Sequence, residues 1–144
     1  MKKIAVACDH AGPAYKAAII SHLTSKGYEC TDLGTNSEES VNYPDYAKKV
    51  CDEITLGRCD CGILVCGTGI GMSIAANRRR GIRAAVCTTE DMARLCREHN
   101  DANILCLGAR IIDLDTALRL CDIFVTEEFL GGRHKTRIDL IEDM

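Results

Sequence analysis

Cys61-Gly62-Ile63-Leu64-Val65-Cys66-Gly67-Thr68-Gly69-Ile70-Gly71-Met72 decides how the rest of this chain is read. The apolar run that ends at Cys66 suits a strand buried on both faces. Three glycines alternate after it, and Ser73-Ile74-Ala75-Ala76-Asn77 reads as the opening of a helix. A sulfur at the carboxyl end of a strand therefore borders a loop of bare backbone N–H groups. Helix N-termini carry partial positive charge and unsatisfied donors, so they attract anions. The same field favours a thiolate over a thiol. A candidate base and a candidate anion hole fall within six residues of each other.

Outward from that stretch, strand and helix signals alternate. Residues 4–8 form an apolar run, and 14–26 carry Tyr15, Ala18, Ile19 and Leu23 on one helical face, closed by Gly27. Residues 28–33 read as a weaker strand. A polar loop over 34–42 leads to Pro44, which suits the first turn of a helix striped by Tyr46, Ala47, Val50 and Ile54. Residues 82–86 predict a fourth strand, and Thr88 or Thr89 caps a helix reaching about His99. Residues 104–107 predict a fifth strand. Leu114, Leu118, Cys121 and Val125 mark a further helix, and a basic, helical tail follows Gly131-Gly132. Alternating β and α units with right-handed crossovers predict an α/β protein. The expected architecture is a three-layer α-β-α sandwich on a Rossmann-like, five-stranded parallel sheet, with residues 1–144 as one domain. Ligands of such sheets bind beyond the carboxyl ends of the strands, where Asp9-His10, Cys66-Gly67-Thr68 and Gly108-Ala109-Arg110 are expected to meet.

Hydrophobic residues make up 47% and charged residues 27% of the chain, as in a water-soluble globular protein. A net charge of −3 supplies no field for nucleic acid or a membrane surface. Five apolar residues between Lys2-Lys3 and Asp9-His10 are too few for an export signal, so a cytoplasmic location is expected. The ten cysteines sit mostly inside apolar runs, where free cysteine acts as a small hydrophobe rather than a disulfide partner. Cys59-Asp60-Cys61 is the only close pair and has the wrong spacing for zinc, so no metal and no cofactor are expected.

The glycine loop fits none of the common nucleotide signatures. Met72 stands outside the G-x-G-x-x-G spacing, and Cys87 occupies the place of a ribose-binding acid. No Gly-Lys-Ser/Thr triplet occurs, and a cysteine-phosphatase loop would need arginine at position 72. A plain strand-to-helix turn with a packing cysteine stays open on this stretch alone. Asp9-His10 reads either as a turn-forming pair or as polar groups aimed into the crevice. His99 ends a helix just before a strand, a place that favours acid–base service over a purely packed role. Arg133 and Arg137 share a helical face and suit a phosphate, with a solvated basic face as the alternative. Arg78-Arg79-Arg80 and Arg83 read as surface or subunit contacts.

Several segments in order resemble the type B ribose-5-phosphate isomerases, a family shared with the galactose-6-phosphate isomerase subunits. They are Asp9-His10-Ala11-Gly12, Ser40-Val41-Asn42-Tyr43-Pro44-Asp45, Cys66-Gly67-Thr68-Gly69-Ile70-Gly71, Arg83-Ala84-Ala85, His99-Asn100-Asp101-Ala102-Asn103, Gly108-Ala109-Arg110 and Gly131-Gly132-Arg133-His134. The resemblance implies a metal-free aldose–ketose isomerase acting on a small sugar phosphate through an enediolate. It implies Cys66 as the base, His99 helped by Asp9 for ring opening, and Thr68 beside the carbonyl and hydroxyl oxygens. Backbone N–H groups from Gly67 through Gly69, Ile70 and Gly71 would hold the enediolate oxygen. His10, Arg110, Arg133 and Arg137 would hold the phosphate, Asn100 a sugar hydroxyl, and Tyr43 would line the sugar pocket. The resemblance also implies a homodimer, or a pair of such dimers, with the carboxyl-terminal arginines reaching a neighbour's site. Pro13 replaces a larger residue and Asn42 a more frequent aspartate, which leaves five- versus six-carbon sugars open. A nucleotide- or anion-binding module on the same sheet is the non-enzymatic alternative.

Overall fold

The computed structural model describes residues 3–144, so Lys2 of the basic pair lies outside the described residues. Three continuous apolar runs become the central strands β1 (Lys3–Cys8), β3 (Cys61–Cys66) and β5 (Ile104–Gly108). Being apolar on both faces, they can be covered by helices on both sides, which is what a parallel sheet requires. The edges are β2 (Glu29–Asp32), with mixed polarity, and the short β4 (Ala84–Val86). All neighbours pair in parallel in the order β2-β1-β3-β5-β4.

Alternate strand residues feed two cores. Ile4, Val6, Cys8, Ile63, Val65, Leu105 and Leu107 pack under α1 (Pro13–Ser25), α4 (Glu90–Glu98) and α5 (Leu114–Thr126). Ala5, Ala7, Leu64, Cys66 and Cys106 pack under α2 (Tyr43–Thr55) and α3 (Ile70–Ala76). The last helix, α6 (Arg133–Glu142), buries only Ile138. The expected three-layer sandwich on a five-stranded parallel sheet is the observed fold.

The cysteines behave as fillers. All ten are free, and eight of them besides Cys66 are buried. Burial pushes Cys8 up to about 11 and Cys61 up to about 12, so both are uncharged thiols near neutrality. Cys106 and Cys121 are driven upward by the same cause.

Lys16 breaks the apolar rule for α1. It is 2% exposed, and its Nζ donates to both Asp32 carboxylate oxygens at 2.8 Å and to Asn36 Oδ1 at 2.7 Å. Partial burial pulls the Asp32 pKa upward, but the Lys16 ammonium and the Gly34 N–H outweigh it and hold the carboxyl below its usual 3.8. A depressed carboxyl stabilises the fold above its unfolded pKa and loses that stabilisation as pH falls. Comparing denaturation midpoints of the native chain and Asp32→Asn from pH 7 downward should therefore show a native advantage that shrinks below 3.8. An advantage that stays constant down to pH ~2.5 would contradict the pairing.

Candidate active site

The strand order makes β1 and β5 the two neighbours of β3, so the loops after these three strands share one rim. Asp9 N–H donates to Val65 O at 3.0 Å, and Ala109 N–H to Cys66 O at 2.9 Å, which ties the rim together. Cys66 ends β3 and is 5% exposed. The chain then turns through Gly69 at φ 83°, a left-handed conformation that costs a side-chain-bearing residue energy. This turn aims the Gly69 N–H at Cys66 Sγ, 3.1 Å away. The helix consequently starts at Ile70, three residues before the sequence signal at Ser73.

Thr68 Oγ1 accepts from Ile70 N–H at 3.2 Å. Two of the five loop amides, those of Gly69 and Ile70, are thus engaged inside the loop, on the sulfur and on the hydroxyl. Arg110 lies over Gly67 so closely that a Cβ there would sit 3.1 Å from its Nη1. The Tyr43 ring covers Gly71 in the same way, at 2.8 Å. Asp9 is buried, and its Oδ1 accepts from Ala11 N–H at 2.9 Å, the turn-forming role that its position allowed. His10 Nδ1 accepts from Val41 N–H at 3.2 Å, which leaves Nε2 as the ring's donor.

Asp9, His10, Tyr43, Cys66, Gly67, Thr68, Gly69, Ile70, Gly71 and Arg110 are therefore neighbours on one rim. His99, Asn100, Arg133 and Arg137 are not among them. His99 caps the end of α4, before β5 begins, and the five residues of β5 alone separate the sheet ends by about 13 Å. The basic residues of α6 gather around that opposite end. The His99 and His134 rings stack with centroids 4.2 Å apart and 13° between planes. Burial, then the neighbouring His99, Arg133 and Arg137, lower the His134 pKa from its usual 6.5. Its place in the stack has no local sequence signature; only the fold brings positions 99 and 134 together. No cluster of three or more His, Cys, Asp or Glu side chains able to hold a metal occurs among the described residues.

The profile of the Ribose/Galactose Isomerase family matches residues 4–141. The chain belongs to that family. Ribose-5-phosphate isomerase B of Escherichia coli is 46% identical over 141 residues, covering 98% of this chain and 95% of its own. Among solved ribose/galactose isomerases, the Thermotoga maritima ribose 5-phosphate isomerase is 55% identical with a TM-score of 0.97, and the match covers 99% of each chain. A ribose-5-phosphate isomerase B of Mycoplasma genitalium, solved with ribulose 5-phosphate bound, is 40% identical with a TM-score of 0.94. That match covers 98% of this chain and 94% of the other.

Gly108 gives the rim its tightest contact. A Cβ on Gly108 would lie 2.7 Å from the Thr68 carbonyl carbon and oxygen, both backbone. Gly108→Ala should lower the denaturation free energy by about 1–3 kcal/mol, the usual cost of overpacking. A denaturation midpoint equal to that of the native chain would contradict the contact.

Proposed function

We propose that this chain interconverts D-ribose 5-phosphate and D-ribulose 5-phosphate through an enediolate, with Cys66 as the base. The observation that carries this reading is the sulfur at the carboxyl end of β3, 3.1 Å from the Gly69 N–H at the mouth of the glycine loop. A relative of 40% identity that carries ribulose 5-phosphate supports the substrate.

A hydrogen α to a carbonyl is only weakly acidic, so the enzyme must supply a base and stabilise the enediolate. The Cys66 thiolate takes the proton from C2 of the open-chain aldose. The C–H electron pair forms the C1=C2 bond, and negative charge passes to O1. A proton then moves from O2 to O1, the thiol returns its proton to C1, and the C2 carbonyl forms. The Gly69 N–H steadies the sulfur, which assigns the enediolate oxygen to the amides of Gly67, Thr68 and Gly71. Thr68 Oγ1 accepts from Ile70, so its own O–H is left to donate to O1 or O2. His10, donating through Nε2, and Arg110 hold the phosphate, which positions the sugar from a distance. Tyr43 walls the sugar pocket.

His99, helped by Asp9, moves the proton between the anomeric hydroxyl and the ring oxygen, while Asn100 binds a hydroxyl and Arg133 and Arg137 complete the phosphate site. Those four residues lie at the other end of the sheet from Cys66. The reading therefore includes a homodimer in which the rim of one copy faces His99, Asn100, Arg133 and Arg137 of the second. The ten free thiols suit a cytoplasmic enzyme, since reducing conditions keep them so.

Two variants test this arrangement together. Cys66→Ala and His99→Asn should each lower turnover of ribose 5-phosphate by at least about 100-fold. Hybrids formed by refolding them together contain one site built wholly from intact parts, so about a quarter of native activity should return. A mixture that stays as inactive as its components would contradict the shared site.

A further inference from the structure

The half-site that holds His99, Asn100, Arg133 and Arg137 is assembled from two segments with little apolar packing of their own. The 99–101 turn carries Asp101 at φ 45°, a left-handed conformation that a non-glycine residue adopts only when its surroundings hold it there. Helix α6 buries a single side chain, Ile138, so apolar burial alone is a weak anchor for it. One side chain grips both segments. Arg83 is 19% exposed; its Nε donates to Asn100 O at 3.0 Å and its Nη2 to Asp101 O at 2.9 Å. Its Nη1 donates to Glu142 Oε1, at the last turn of α6, at 2.6 Å.

Both partners of the guanidinium are themselves fixed. The Arg83 N–H donates to Asn103 Oδ1 at 2.8 Å, and Asn103 N–H to Arg83 O at 2.9 Å, which seats Arg83 at the start of β4. Glu142 Oε2 also accepts from Gly81 N–H at 3.2 Å, and Arg80 Nη1 donates to Glu142 O at 2.7 Å. The other end of α6 is held by the His134 ring on His99. Arg97 steadies Asp101 from the core side, with Nη1 2.9 Å from Oδ1. The guanidinium spreads its donors over three nitrogens in a fixed planar fork, so two consecutive carbonyls and a carboxylate are each met by a different nitrogen. An ammonium would have to serve all three from a single nitrogen.

We propose that Arg83 is a positioning residue for the second half-site: it sets the 99–101 turn and α6 in one geometry, so that His99 and Asn100 act together with Arg133 and Arg137. This rests on the isomerase reading above. Arg83, far from being a plain surface charge, acts on the reaction only through the residues that it orients.

Arg83→Lys keeps a charge for Glu142 and loses the carbonyl pair, so kcat for ribose 5-phosphate should fall about tenfold. Glu142→Gln leaves the carbonyl contacts and loosens α6 alone; KM should rise several-fold with kcat within about twofold. In a His99→Asn background, Arg83→Lys should cost little more, because the group it orients is already gone. Refolded with Cys66→Ala, an Arg83→Met chain should regain activity in hybrids; refolded with His99→Asn, it should not. Native kinetics in Arg83→Lys, a full tenfold loss added to His99→Asn, or equal recovery with both partners would each overturn the proposal. Failure of Cys66→Ala and His99→Asn to complement each other would instead strike the shared site. The within-chain comparison of Arg83→Lys with and without His99 still decides the role of Arg83 in that case.

Discussion

A single amide hydrogen, that of Gly69, lies between the end of β3 and the start of α3 and points at the Cys66 sulfur. For this the chain must reverse within three residues, and only φ 83° at position 69 accomplishes it. The space is equally strict: a Cβ at Gly69 would meet backbone carbons of Cys106 and Leu107 and the Val86 side chain at 3.2–3.4 Å. The glycine loop is thus cast against β5 and β4, and its shape is inherited from the sheet. The sulfur, the Thr68 hydroxyl and the opening of α3 then follow as one rigid unit. Preorganised donors of this kind are worth most in catalysis because they need not move when charge develops.

The same sheet imposes a second constraint. A parallel strand sends the loop after it to one end and the loop before it to the other. Cys66 and Arg110 follow their strands, whereas His99 and Asn100 precede theirs. No bending of side chains closes the length of β5. In the proposed isomerase, the groups assigned to ring opening and the base assigned to proton transfer meet around one sugar when a second copy turns its other end to the rim. Symmetry would then build two equal sites from one interface. The α6 helix, which buries Ile138 alone and carries Arg133, Lys135 and Arg137, is the element that the proposed dimer would cover.

Much of this was legible in the residues. The apolar runs 4–8, 61–66 and 104–107 read as strands in the sequence, and they are the three central strands of the sheet. Of the two threonines expected to cap α4, Thr88 or Thr89, it is Thr89 that does so, its side chain accepting from Met92 N–H at 3.2 Å. Local signals misplaced two boundaries. Gly69 starts α3 early because left-handed glycine can serve as a helix N-cap. The strand β4 begins at Ala84 rather than Ile82, where Asn77 clasps both the N–H and the carbonyl of Ala84. What escaped altogether were long-range polar pairs: Lys16 buried against Asp32 and Asn36, Arg83 joined to Glu142, and His134 stacked on His99. Each looks like a solvated side chain in sequence, because nothing periodic or adjacent marks its partner. The separation of the candidate residues between the two ends of the sheet was implicit in the order of strand and helix, and it shows once each residue is assigned to the loop before or after its strand.

Solvent isotope exchange tests the central claim most directly. With ribose 5-phosphate in D2O, the native enzyme should place deuterium at C1 of the ribulose 5-phosphate formed, since the proton taken from C2 rests on a sulfur in contact with water-borne deuterons. Cys66→Ala should bind the sugar phosphate and incorporate none over many native turnover times. Deuterium entering C1 at the native rate in Cys66→Ala would mean that another group carries the proton, and the account built on this sulfur would be wrong.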